Sequence, residues 1–318
     1  MKKKLLTVLS VVLFLGLLVG CGTKKEEATT ASSSKEAPKT LTVKDAKEEV
    51  EVPKNPKKVV VFDNGSLDTM DALGVGKTVI GAPTKSVPAY LKKYAEVENA
   101  GGIKEPDMEK INQLKPDLII ISGRQQDFKK DLSKIAPTIY LAVDSTKTWE
   151  STKQNIQTLA EIFDKQDVAK KKIATLEKEI ADVKKQAEAS DEKALAVLVN
   201  EGQLSAYGKG SRFGIIYDTF GFATADENIK ASIHGQSVSY EYVLEKNPDI
   251  LFVIDRTKAI GGDDSKNNVA ENELVAQTNA GKNGKVISLQ PDVWYLSGGG
   301  LESTQLMLED VEQALPEK

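Results

Sequence analysis

The sequence predicts an α/β protein built as two lobes joined by a single long helix, and three observations predict it. Two segments about 130 residues apart carry the same pattern of helix, stop, strand and arginine. Short, continuously apolar runs alternate with amphipathic stretches in both halves, the signature of parallel sheets covered by helices. Between the halves lies Thr148–Ser190, strongly helical and free of such runs.

The first residues are a targeting segment and belong to neither lobe. Lys2–Lys4 form a basic region, Leu5–Leu17 an apolar stretch, and Leu18-Val19-Gly20-Cys21 matches a lipoprotein signal box. The apolar stretch is short for a bilayer span. Residues 1–20 therefore read as a cleaved signal peptide and Cys21 as the lipidated residue, which places the protein at the cell membrane on its extracytoplasmic face. Cys21 is the only cysteine, so no intramolecular disulfide forms. Residues 21–39, rich in Lys, Glu, Ala, Ser and Thr, read as a flexible tether too polar to build a core.

The N-terminal lobe takes residues 40–147. Its strands are expected at Thr40–Val43, Val50–Val52, Val59–Phe62, Val79–Ile80, Leu118–Ile121 and Thr138–Leu141, with helices at Ser66–Leu73, Ala89–Tyr94, Met108–Leu114 and Phe128–Ile135. The connecting helix takes residues 148–166. Its stretch Thr148–Asp164 carries Ile156, Leu159, Ile162 and Phe163 on one face. The C-terminal lobe takes residues 167–318 and opens with a helix over Val168–Ser190. Strands follow at Leu195–Val199, Leu204–Tyr207, Ile250–Ile254 and Lys285–Ser288, and helices at Gly214–Phe220, Tyr240–Lys246, Asn272–Gln277 and Glu302–Leu315. Each lobe is then Rossmann-like, and a stiff connector limits hinge opening to modest closure.

The repeat aligns Glu109–Arg124 with Glu241–Arg256 without a gap. Glu109 and Glu241 stand near helix starts, where a carboxylate suits the helix dipole. Pro116 and Pro248 stop those helices. The apolar strands follow, and each arginine emerges past the C-terminal end of its strand, the edge where ligands of open α/β sheets collect.

Composition sharpens the point. Of 43 basic residues only Arg124, Arg212 and Arg256 are arginine. Arginine presents a planar fork of donors and tolerates desolvation better than lysine. Arg212 lies in a glycine-rich loop, Gly208–Phe213, that follows the strand Leu204–Tyr207. Three guanidiniums converging between lobes would suit a ligand of charge near −3; the alternative is separate ion pairs with Asp127, Asp218 and Asp255. The formal net charge is −4, more negative still once Lys2–Lys4 are lost, which argues against nucleic acid as partner. Lys104, just before the first repeat helix, would add a fourth cation or stand solvated.

Catalysis has little to stand on. His234 is the only histidine, which rules out a multi-histidine metal cage. No Gly-x-Ser-x-Gly elbow, P-loop or dinucleotide fingerprint is present. Ser297–Gly300 precedes a helix and reads either as an anion-binding turn or as a plain tight turn. His234 and Tyr295 sit in loops from which an imidazole and a phenol could ligate a ferric ion, or where each could simply pack.

Asn55–Asp63, Lys115–Arg124, Ser211-Arg212-Phe213-Gly214, His234–Tyr242 and Trp294–Ser303 together resemble the siderophore-binding lipoproteins of iron-uptake ABC transporters. The resemblance spans the chain from about residue 40 onward and is nearest to the petrobactin- and catecholate-binding branch. It implies the class III periplasmic-binding-protein fold. It further implies that Arg124, Arg212 and Arg256 grip a ferric catecholate beside Lys104, and aromatic rings such as Tyr295 and Trp294 would pack the catechol faces. His234 and Tyr295 would complete the iron shell when the siderophore leaves positions open. Glu109 and Glu241 would dock onto the permease dimer. No intrinsic cofactor is implied; the ligand is a ferric siderophore, and the expected form is a monomer. Rival readings keep the fold with haem, cobalamin, ferric citrate or a hydroxamate as cargo, or take the chain as a membrane-tethered metal-dependent hydrolase or an adhesion lipoprotein.

Overall fold

A computed structural model describes residues 39–316, so Cys21 and the expected signal peptide lie outside the described residues. The chain begins with an antiparallel hairpin of β1 (Thr40–Lys44) and β2 (Glu49–Pro53). There follow β3 (Val59–Val61), α1 (Asn64–Ala72), β4 (Val79–Ala82), β5 (Glu98–Asn99), α2 (Met108–Leu114), β6 (Leu118–Ile121), α3 (Lys129–Leu132) and β7 (Thr138–Tyr140). These strands form a five-stranded parallel sheet in the order β5-β4-β3-β6-β7. Two long helices come next, α4 (Thr148–Ile162) and α5 (Gln166–Glu188), packed on each other.

The second sheet is built from β8 (Lys193–Asn200), β9 (Gln203–Tyr207), α6 (Ile215–Asp218), β10 (Ala223–Thr224), β11 (Gln236–Val238), α7 (Tyr240–Lys246), β12 (Ile250–Asp255), α8 (Arg256–Ala259), α9 (Glu273–Ala276), α10 (Asn279–Lys282) and β13 (Val286–Ser288). Its order is β11-β9-β8-β12-β13, with β10 beside the start of β8. Here β8, β12 and β13 are parallel, while β9 and β11 run antiparallel to their neighbours. Two helices close the chain, α11 (Pro291–Leu296) and α12 (Leu301–Glu312).

Alternation along the strands explains how the two sheets are joined. Val59, Val61 and Ile120 of the first sheet and Ala194, Ala196, Leu198, Phe252 and Ile254 of the second all belong to one apolar core. The residues between them, Val60, Ile119 and Ile121 in one sheet and Leu195, Val197 and Leu251 in the other, face two separate cores. Successive side chains on a strand point to opposite faces, so each sheet gives one face to the shared core. That core is filled by Leu67 and Met70 of α1, Ile156 and Leu159 of α4, Ile173 and Leu176 of α5, and Met307 and Leu308 of α12.

The repeat is a structural repeat. Asp107 and Ser239 cap α2 and α7, and Lys115 and Asn247 end them with left-handed φ of 49° and 42°. Asp117 then accepts the backbone N–H groups of Lys57 and Lys58 at 2.8 and 2.9 Å, and Asp249 accepts that of Lys193 at 2.9 Å. Each Pro-Asp pair thus stitches the start of the repeat strand to its central neighbour.

Several boundaries differ from expectation. Ala89–Glu96 forms 3-10 turns instead of an α-helix, and Phe128–Ile135 shortens to α3 behind a 3-10 turn. The expected helix Gly214–Phe220 reduces to α6. β5, β10 and β11 were not anticipated; they are two or three residues long and carry no apolar run.

Candidate ligand-binding site

β6 and β12 carry Arg124 and Arg256 into the first turns beyond their C-terminal ends. Ser122 and Gln125 cap the first turn reciprocally, and buried Gln125 also donates to the Ile103 carbonyl, which ties the Lys104 loop beside Arg124. Arg212 arrives differently, from the loop after the antiparallel strand β9. That loop is held by the Ser211 hydroxyl on Gly208 O at 2.5 Å and by Gly210 N–H on the Asp218 carboxylate at 2.7 Å.

All three guanidiniums meet at Tyr295 in α11. Arg124 Nη2 and Arg212 Nη2 donate to the Tyr295 carbonyl at 2.7 and 2.6 Å. Arg256 Nε donates to the Tyr295 hydroxyl at 2.8 Å, and its Nη1 donates to Asn200 Oδ1 at 2.5 Å. Arg212 also lies 4.5 Å from the Tyr295 ring centre and 5.0 Å from that of Phe213, with Arg256 at 5.5 Å from Tyr295. Such cation–π contacts hold a guanidinium without neutralising it.

The expected alternative of separate ion pairs is not what the chain does. Asp218 is taken by Gly210 N–H, and Asp255 by Lys258 N–H and the Asn267 amide at 2.9 and 2.8 Å. Among the described residues every salt bridge is made by lysine. Asp63, the N-cap of α1, carries a carboxyl that feels the Arg124 charge. Burial raises its carboxyl above the usual range, bonds from Ser66 and the charge of Arg124 oppose this, and its hydrogen bonds go to Ser66.

Three cations therefore share a carbonyl, a phenol and an amide. Burial, and then the neighbouring Arg124 charge, lower the affinity of Arg212 for its proton. Burial would raise the Tyr295 phenol, but the bonds and charges of Arg256 and Arg212 outweigh it and bring the phenol below its ordinary value. Charge-assisted bonds to an incoming oxyanion would be stronger than those to a neutral carbonyl.

Trp294 is a correction. The residue is 2 % exposed, its Nε1 donates to Asp310 Oδ2 at 2.8 Å, and its ring packs edge-on to that of Phe213. On the short helix α11 neighbouring side chains point to different faces. Tyr295 takes the arginine side and Trp294 the core, so the indole offers no face to a ligand.

The other expected residues lie around the cluster. Lys104 is exposed, without an ion pair among the described residues. His234 is exposed in a loop joined to the Arg212 loop by Arg212 N–H on Ser232 O at 3.4 Å, and no hydrogen bond links its ring to Tyr295. Glu109 and Glu241 stand exposed in the first turns of α2 and α7. Gln113 donates to Glu109 at 3.2 Å, and the Ser239 hydroxyl helps hold the Glu241 carboxyl below its ordinary value.

The Ser297–Gly300 run is a packing device. A Cβ on Gly65 of α1 would stand 2.4 Å from Gly298 O, and one on Gly300 would stand 2.1 Å from Asp68 Oδ1. The first turn of α12 already has an occupant, because the N–H groups of Glu302 and Ser303 donate to the Asp68 carboxyl group at 3.3 and 2.9 Å.

Asn200, Asn64 and Asp68 were not anticipated. A polar residue ending an apolar strand at the ligand-bearing edge is the signal that marks Asn200. Asn64 donates to Leu296 O at 3.0 Å, so two successive carbonyls, 295 and 296, are held from α1 and the β6 turn. A cavity of about 250 Å³ beside β1 and α4, lined by Lys44, Asp144, Lys147 and Glu150 among others, includes none of the three arginines.

Comparison with known proteins agrees with this architecture. A family model described as periplasmic binding protein matches residues 59–293. The petrobactin-binding protein YclQ of Bacillus subtilis is 50 % identical over 303 residues, covering 94 % of this chain and 95 % of that one. The ferric-anguibactin-binding protein FatB of Vibrio anguillarum is 36 % identical over 266 residues, covering 80 % and 81 %. The crystal structure of YclQ superposes with a TM-score of 0.86 at 51 % identity, covering 88 % of this chain and all of that one.

Proposed function

The chain belongs to the periplasmic binding protein family, and on that premise we propose that it captures a ferric catecholate-type siderophore, petrobactin-like, and delivers it to an ABC importer for iron uptake. As a solute-binding protein it is not an enzyme, and the ferric chelate is its ligand and no resident cofactor. The observation that carries the reading is the meeting of Arg124, Arg212 and Arg256 at Tyr295 without a carboxylate partner. A ferric tris-catecholate is a trianion whose oxygens suit three guanidinium forks, whereas a neutral ferric trihydroxamate leaves three charges uncompensated.

In this reading Lys104 approaches the ligand from its exposed loop. Tyr295 and His234 fill iron positions only for a siderophore that leaves them open. The phenol is the better prepared of the two, since its arginine neighbours already favour the phenolate. Residues 40–147 and 167–318 form the lobes and 148–166 the connector. Cys21 carries the lipid that holds the monomer on the extracytoplasmic face of the membrane. Glu109 and Glu241, exposed at equivalent positions of the repeat, meet the permease dimer, one from each lobe.

The test is a tryptophan-fluorescence titration against ferric petrobactin, a ferric tris-catecholate, a ferric trihydroxamate, haem and cobalamin. Tight quenching by the first two only is the expected result. Binding of haem or cobalamin with no response to catecholates would keep the family and overturn the cargo.

A further inference from the structure

Among the described residues three large apolar side chains stand exposed: Val168, Ile233 at 61 % and Ile260 at 51 %. Single exposed aliphatics are ordinary on a protein surface, but two of these three lie next to the segments of the two C-lobe arginines, Ile233 in the loop bonded to the Arg212 loop and Ile260 at the end of the helix that Arg256 begins. Ile233 follows Ser232, whose carbonyl accepts the Arg212 N–H at 3.4 Å. Ile260 caps α8 four residues after Arg256, and its N–H bonds to Arg256 O at 3.2 Å. Ile260 is thus one short helical turn beyond Arg256 in the backbone, at the end of the helix that Arg256 begins. Each loop then turns at a glycine with φ of 73°, Gly235 and Gly261.

We infer that Ile233 and Ile260 form an apolar rim to the arginine cluster, and that this rim covers the ring face of an aromatic oxyanion held by the guanidiniums. The inference rests on the proposed function and deepens it by assigning the specificity for aromatic over purely carboxylate chelates. Charge selects the occupant's oxygens: three guanidiniums without a carboxylate call for an anion. The rim selects the rest of the occupant, because burying an aliphatic side chain is favourable only against apolar surface. A small hydrated polyanion would meet the arginines and leave both isoleucines wet. An arene bearing oxyanions satisfies both at once.

Calorimetric titration of the protein with a ferric tris-catecholate at several temperatures tests this, using Ile233→Ser, Ile260→Ser, the double variant and Ile233→Leu. Thermal stability should stay at the wild-type value, since neither side chain is part of a core. Each serine variant should bind about tenfold more weakly, with a heat-capacity change of binding less negative than wild type, and Ile233→Leu should restore both. Wild-type affinity and heat capacity in the double variant would overturn the rim and leave the cargo reading standing. Unchanged binding with lost siderophore-dependent growth would overturn it too, and assign these residues to the permease. A wild-type protein that does not bind the catecholate overturns rim and cargo together.

Discussion

Arg124 and Arg212, from opposite halves of the chain, donate to one and the same oxygen, the Tyr295 carbonyl, at 2.7 and 2.6 Å. Two like charges brought together on a neutral acceptor repel each other, and the depressed proton affinity of Arg212 records part of that repulsion. A carbonyl dipole offsets it only in part. An anion in place of the carbonyl would offset that repulsion more fully, and the proposed ligand takes the place now held by a backbone oxygen.

Arg256 uses its fork in two directions, Nε to the Tyr295 hydroxyl and Nη1 to Asn200. A lysine keeps the charge but lacks the planar fork whose separate nitrogens reach both acceptors. Arg256→Lys is expected to weaken ferric catecholate binding about tenfold or more, the loss of one charge-assisted bond. Fluorescence titration of the variant measures it.

Of the eight tyrosines, seven have phenols raised by burial as the leading cause, and Tyr295 alone is lowered. Tyr295 should therefore be the first phenol to ionise as pH rises, seen as phenolate absorbance that is absent in Tyr295→Phe. A depressed acid adds stability above its unfolded pKa and loses it as pH falls through the folded one. The contribution is thus complete only above the ordinary phenol value of 10.0 and fades as pH falls through the lowered folded value.

Asp68 is buried where α1 meets the start of α12. Burial outweighs the donors from Ser303 and Glu302 and lifts its carboxyl from 3.8 to about 7. A raised acid stabilises fully below its unfolded pKa, and that stability is lost as pH rises through the folded value. Stability should fall across the window from about 4 to 7, by a few kcal/mol at most. Denaturation of Asp68→Asn over that range should show a shallower slope than wild type; Asp63, also raised, keeps it from vanishing.

Gly65→Ala drives a Cβ into the Gly298 carbonyl and Gly299 backbone, at 2.4 and 2.9 Å. It should cost roughly 1–3 kcal/mol and loosen the Tyr295 end of α11. Gly123→Ala, beside Arg124 but with open space around its Cβ, should stay within about 0.5 kcal/mol of wild type. Chemical denaturation of the pair separates the two.

Where the chain repeats itself, the sequence is readable. Asp107 and Ser239, Pro116 and Pro248, and the apolar strands after them act through neighbours a few residues away, so their pattern is local. Arg124 and Arg256 followed from that pattern. The short edge strands β10 and β11 did not, because their pairing is set by β8 and β9 and not by their own residues. Asp68 was illegible for the same reason: its partners Glu302 and Ser303 lie more than two hundred positions away. Trp294 was misread because two adjacent aromatics look alike in sequence, and only the turn of α11 sends one to Asp310 and the other to the arginines.

The most direct test is a crystal structure with a ferric catecholate bound. Arg124 Nη2 and Arg212 Nη2 are expected to leave the Tyr295 carbonyl and lie within about 3 Å of ligand oxygens. A ligand bound elsewhere, with both guanidiniums still on Tyr295, would contradict this.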